Sequence, residues 1–113
     1  MSASLILNDP TLLQTNAFID GVFTAAPNGK TFAVRNPANG EIIAEVADCG
    51  ADDIARAIDA ADTARHSWAA TTAKERSAIL RKWNDLCLEN IDDLAAILTA
   101  EMGKPLAEAK GEI

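Results

Sequence analysis

The feature that most constrains this chain is a change of apolar period at Gly50. Before it, apolar residues come in short runs separated by turn-forming pairs. After it they recur about every three to four residues, the spacing of a helix face, up to the last position. A chain of 113 residues has room for one domain at most. The pattern divides it into a lead-in over 1–16, strands over 17–49 and helices over 51–113.

In the strand region Ala17-Phe18-Ile19 and Val22-Phe23-Thr24 flank Asp20-Gly21. An Asp-Gly pair between apolar runs predicts a two-residue hairpin, because a type I′ turn needs positive φ at both central positions. Asn28-Gly29 marks a further turn, and Asn36-Pro37-Ala38-Asn39-Gly40 breaks the chain again after a strand over Thr31 to Arg35. Glu41 to Val46 follows as a strand with Ile42, Ala44 and Val46 on one face and Ile43 on the other. Apolar residues on both faces predict cover on both sides.

In the helical region Ile54, Ala57, Ile58, Ala61 and Trp68 keep helical spacing, behind Asp52 and Asp53, whose charges suit a helix start. Thr72 to Glu75 reads as a capping box. The helix it opens aligns Ile79, Leu80, Trp83, Leu86 and Cys87, which predicts a buried Trp83. Asn90 is placed to cap a third helix carrying Ile91, Leu94, Leu98 and Met102 along one side. Gly103 is placed to terminate it, and Pro105 suits the first turn of a fourth. Leu106, Ala109 and Ile113 hold helical spacing to the last residue, which reads as a helix cut within a longer chain.

Composition excludes several functions. With 17 acidic residues against 10 basic ones, a net charge of -7 and scattered lysines and arginines, a phosphate backbone would be repelled. The opening Met1 to Pro10 lacks a basic segment followed by an unbroken apolar run, so neither a signal peptide nor a membrane span is read. Cys49 and Cys87 then read as reduced thiols in a cytoplasmic protein.

The residues that could carry chemistry are few. His66 is the only histidine and sits on the polar side of its helix, where solvation is the ordinary reading. Metal binding needs several ligands at matched spacing, which one histidine and two distant cysteines do not supply. Cys87 reads as a small core residue. Cys49, at the strand-to-helix junction, could be an activated thiol but has no histidine partner near it in sequence. Glu101, beside Met102 and Gly103, reads as part of a helix cap. No glycine pattern forms a dinucleotide or phosphate loop. No catalytic, cofactor-binding or metal site is therefore assigned to any residue.

The order of segments says more than the chemistry. The Ile19-Asp20-Gly21 hairpin precedes Phe32-x-Val34-x-Asn36-Pro37-Ala38-x-Gly40-Glu41-x-Ile43. Ala57-Ile58-Asp59-Ala60-Ala61 with Trp68, then Glu75-Arg76-x-x-Ile79-Leu80-Arg81-Lys82-Trp83, then Glu101-Met102-Gly103-Lys104-Pro105-Leu106 follow in turn. This series resembles the amino-terminal region of the aldehyde dehydrogenase superfamily, from about residue 17 to the end. Within it the resemblance is nearest to the bacterial succinate-semialdehyde group. The features carrying that are Leu7-x-Asp9-Pro10-x-Leu12, Thr72-Ala73-Lys74-Glu75-Arg76, Asp92-Asp93-Leu94-Ala95 and Glu108-Ala109-Lys110-Gly111-Glu112-Ile113. Met102 departs from the glutamine common in that group.

The resemblance implies an α/β aldehyde dehydrogenase-like fold for the full-length family. This segment is expected to be α+β, with N-terminal β-hairpins followed by about four α-helices. It also implies oxidation of an aldehyde to the acid with NAD(P)+, by a cysteine thiolate, hydride transfer to the nicotinamide and a glutamate-activated water. The family's motifs for those groups match no position here, so the chain alone is expected to be inactive and to bind no cofactor. Expected partners are the remainder of its own chain, further copies in a homo-oligomer and a small-molecule aldehyde for the whole enzyme, with neither nucleic acid nor membrane. Two other readings compete: a self-contained helical interaction module docking through Leu80, Trp83 and Cys87, and a regulatory subunit derived from a dehydrogenase.

Overall fold

A computed structural model describes residues 5–113. Two small antiparallel sheets precede four α-helices, which makes the segment α+β. Strands β1 (Ala17–Ile19) and β2 (Val22–Thr24) form the first hairpin. Its turn residues Asp20 and Gly21 take φ of 53° and 77°, the positive pair that type I′ requires. Phe18 and Phe23 face each other across it with ring centroids 5.0 Å apart, and both are exposed. Strands β3 (Thr31–Arg35) and β4 (Ile42–Ala47) form the second sheet.

The pairing of β3 with β4 departs from simple alternation. Val34 pairs with Ala44 but Arg35 pairs with Ile42, so Ile43 is an extra residue in the ladder. Such a bulge re-aims side chains. Ile43 (1% exposed) and Ala44 are consequently buried together in one cluster, while Ile42 is exposed. The expected division, with Ile42 and Ala44 sharing a face and Ile43 opposite, does not hold.

That cluster is the core. Leu5 and Leu7 join Ile43 and Ala44 in it, and Leu13, Val34, Val46, Ala96, Ile97 and Ala100 pack around them. The residues read as a lead-in thus supply both of the buried leucines among the described residues, each worth about 1.5–3 kcal/mol of burial. The α-helices are α1 (Ala51–Ala70), α2 (Ala73–Glu89), α3 (Ile91–Met102) and α4 (Leu106–Glu112). Helix α3 closes the core with Ala96, Ile97 and Ala100 rather than with the Ile91, Leu94, Leu98 and Met102 side, of which Met102 is exposed. Ala109 of α4 is fully buried, so the stripe of the last helix is partly covered.

The helix boundaries follow local chemistry. At α1 the Gly50 N–H donates to Asp53 Oδ2 at 3.0 Å. The capping box at α2 is complete: the Thr72 N–H donates to Glu75 Oε2 at 2.6 Å and the Glu75 N–H to Thr72 Oγ1 at 3.2 Å. Asn90 behaves differently from expectation. Its side chain does not cap α3 but turns back, Nδ2 donating to the Leu86 carbonyl at 2.8 Å, and so closes α2. That carbonyl lies in the last turn, where helix acceptors lack their full complement of partners, and it also accepts from the Asn90 N–H at 3.2 Å.

Helices α1 and α2 stand away from the core. Helix α1 rests on β1 and α2 reaches α3, but neither is covered along its apolar face. Trp83 is 66% exposed and Ile79, Leu80 and Leu86 are exposed beside it, so the expected burial of this face is overturned. Cys87 is only half-buried. The chain exposes 7895 Å², where a compact protein of its size exposes about 5,900 Å². Its radius of gyration is 16.6 Å against about 13 Å for a compact domain of this length. Periodicity shows that a face is apolar; it does not supply the cover. Trp83→Ser is accordingly expected to change the chain's own stability by less than about 0.5 kcal/mol in urea denaturation, whereas a loss of about 3 kcal/mol or more would place Trp83 in a core.

Candidate functional site

The structure brings none of the singled-out reactive residues together. His66 is exposed near the C-terminal end of α1. Cys49 is half-buried just before Gly50, and Cys87 lies near the end of α2. Glu101 is exposed on the last turn of α3 and does not close that helix. Gly103 does so, its N–H donating to the Thr99 carbonyl at 2.8 Å with φ of 84°. Among the described residues no group of three or more His, Cys, Asp or Glu could hold a metal ion. No helix among them is long and apolar enough to cross a membrane.

The helix starts are the places where a phosphate-bearing cofactor would first be sought, because their free N–H groups attract anions. Here each carries its own acid: Asp52 and Asp53 at α1, Glu75 at α2, Asp92 and Asp93 at α3, Glu108 at α4. The Gly50 N–H, with Arg56 beside it, holds the Asp53 carboxyl below its ordinary range. The Thr72 N–H and hydroxyl do the same for Glu75. The Asp53 and Glu75 carboxylates, so stabilised in their charged form, repel a second anion at their helix starts. An open groove on α1 beside Trp68, lined by Ala61, Ala64, Arg65, Ser67 and Thr71, holds no acid, histidine or thiol. At each of these helix starts a carboxylate of the chain itself stands where an anion would be held.

What the structure does build is a tie between distant segments. Asp93, buried in the first turn of α3, accepts from the Asn8 N–H through Oδ1 and from the Asp9 N–H through Oδ2, both at 2.8 Å. The fork fixes the lead-in so that Leu5 and Leu7 enter the core. A second tie joins Gly103 to the loop after β3: a Cβ on Gly103 would lie 3.0 Å from Pro37 Cγ. Sequence reasoning quoted both members of each pair as separate motifs and had no signal that they meet.

Two hairpins and four acid-started helices are braced around one small core, with long apolar faces left bare, and this α+β arrangement is the class of fold the chain defines. The pattern of the aldehyde dehydrogenase family matches residues 23–113, and the chain belongs to that family. It is 55% identical over 107 residues to a glutarate-semialdehyde dehydrogenase of Pseudomonas aeruginosa, covering 95% of this chain and 22% of that protein. It is 52% identical to an NADP+ succinate-semialdehyde dehydrogenase of Escherichia coli, again covering 95% of this chain and 22% of the relative. The crystal structure of a succinate-semialdehyde dehydrogenase from Burkholderia pseudomallei superposes with a TM-score of 0.90 at 55% identity, over 94% of this chain and 22% of that one. The chain spans about a fifth of the length of these relatives.

Proposed function

We propose that this chain is the amino-terminal scaffold of an NAD(P)-dependent semialdehyde dehydrogenase that oxidises succinate semialdehyde to the dicarboxylic acid. The observation that carries the reading is identity above 50% to semialdehyde dehydrogenases over nearly the whole chain, in the conformation of a solved one. Supporting it, the bare α1 and α2 faces and the excess surface fit a segment that other parts of a longer chain cover. Nucleophile, base and cofactor site are assigned to those other parts, since the described residues build none. A cytoplasmic enzyme working as a homo-oligomer goes with this reading, and Cys49 and Cys87 are free thiols.

The 113-residue chain, given succinate semialdehyde and either nicotinamide cofactor, is expected to produce no reduced cofactor. A product of the reading frame extended past Ile113 is expected to do so, and to prefer succinate over glutarate semialdehyde in kcat/KM. Turnover by the short chain, abolished by Cys49→Ala or Cys87→Ala, would overturn the scaffold reading. A reversed preference would move the substrate to the five-carbon semialdehyde while leaving the scaffold role in place.

A further inference from the structure

The chain contains two Asn-Gly pairs, Asn28-Gly29 and Asn39-Gly40, both exposed. In such a pair the glycine nitrogen is unhindered, because no side chain shields it, and it can attack the asparagine side-chain carbonyl. The two turns restrain that attack unequally. Asn39 Oδ1 accepts from the Glu41 N–H at 3.0 Å, which ties the amide down. The Gly40 N–H donates to the Asn36 carbonyl at 2.8 Å, the Asn36 N–H donates to the Glu41 carbonyl at 2.9 Å, and Arg35 Nη1 donates to the Gly40 carbonyl. Attack at Asn39 requires this whole loop to open.

At the other pair the asparagine itself is less restrained, although the Lys30 N–H donates to the Pro27 carbonyl at 3.3 Å and the Lys30 carbonyl accepts from the Asp48 N–H at 2.9 Å. Asn28 sits at the tip between β2 and β3 with φ of 57° and ψ of 18°, and among the described residues its side chain has no hydrogen-bond partner. The Gly29 N–H makes a single bond to the Ala26 carbonyl at 3.0 Å in a short 3-10 turn. Open space surrounds Gly29. Exposed tips of this kind open most readily.

We infer that Asn28 is a site of spontaneous deamidation in the folded protein and that Asn39 is protected. The Gly29 nitrogen, on losing its proton, forms a bond to Asn28 Cγ as the Cγ–Nδ2 bond breaks, and Nδ2 leaves as ammonia with that proton. Water then adds to one carbonyl of the five-membered imide and breaks one of its C–N bonds, giving aspartate or isoaspartate. No electrons are transferred, and water is the only co-reactant. The product carries one more negative charge on a chain already at -7. The tip lies apart from the core cluster, so the fold is expected to survive the change.

The test is a time course in mildly alkaline buffer, read by peptide mapping and mass spectrometry with isoaspartate assigned by fragmentation. Folded chain and chain in concentrated urea are compared. Asn28 is expected to convert about tenfold faster than Asn39 in the folded chain, the factor that one well-made net hydrogen bond represents. In urea the two should convert at comparable rates, which assigns the difference to the fold. Asn28→Gly, which keeps a residue tolerant of positive φ, should remove the Asn28 product without altering the rate at Asn39. Equal rates in the folded chain, faster conversion of Asn39, or no conversion of Asn28 while the denatured chain converts would each overturn the inference.

Discussion

Asp93→Ala is expected to lower the chain's unfolding free energy by about 2–4 kcal/mol, because a hydrogen bond to a charged group contributes about 1.5–3 kcal/mol and two are lost, with water restoring part. The Asn8 and Asp9 N–H groups would lose the carboxylate that holds both at 2.8 Å. The start of the lead-in would then be held by Leu5 and Leu7, with Leu13 and the Thr15 carbonyl, which accepts from the Ala47 N–H at 2.8 Å, anchoring only its later part. A free energy of that size is a large share of what a small domain has. Asp93→Asn separates charge from shape. It keeps one acceptor oxygen and loses the second, so about half the effect should remain. Urea titration of the three chains reads both numbers. A loss below about 0.5 kcal/mol for the alanine variant would mean that the leucines, and not the fork, fix the lead-in.

Gly103→Ala is expected to cost about 2–4 kcal/mol, as the sum of two separate penalties. The backbone there has φ of 84°, in the left-handed region where a side chain is strained by about 1–2 kcal/mol. The added methyl would also press on Pro37 Cγ at 3.0 Å, and the ring of a proline cannot turn aside as a long side chain can. Two variants apportion the total. Pro37→Ala removes the ring that the methyl meets, so Gly103→Ala made in that background should cost only the backbone share. Gly103→Asn, with its better tolerance of left-handed φ, should keep most of the contact penalty. If Gly103→Ala costs the same with and without Pro37, the contact contributes nothing and the glycine is there for its φ alone.

The elements themselves were readable from the sequence because their causes are local. Asp20-Gly21 specifies its turn through its own φ angles, Thr72 and Glu75 satisfy each other three residues apart, and Gly103 ends α3 with a bond to Thr99. The family was readable for a related reason: motifs such as Asn36-Pro37 and Gly103-Lys104 keep their identity and order along the chain whatever they touch. Asn90 shows where local reasoning stops. One residue stood between two helix ends, either of which its side chain could serve, and it serves the end before it.

The sequence by itself determined which residues form turns, helices and strands, which faces are apolar, and that the chain is a member of the aldehyde dehydrogenase family without a dinucleotide loop. Only the tertiary structure decided which apolar faces are covered. Ile43 and Ala44 are buried together because a bulge, set by the pairing of two strands, puts an extra residue in the ladder. Leu5 and Leu7 belong to the core because Asp93, more than eighty positions away, holds the backbone beside them. The Trp83 face matches the periodicity of a buried helix as well as any in the chain, yet it is bare. Periodicity is a property of one segment, whereas burial is a property of two, and contacts between positions so far apart leave no trace in the local pattern of either.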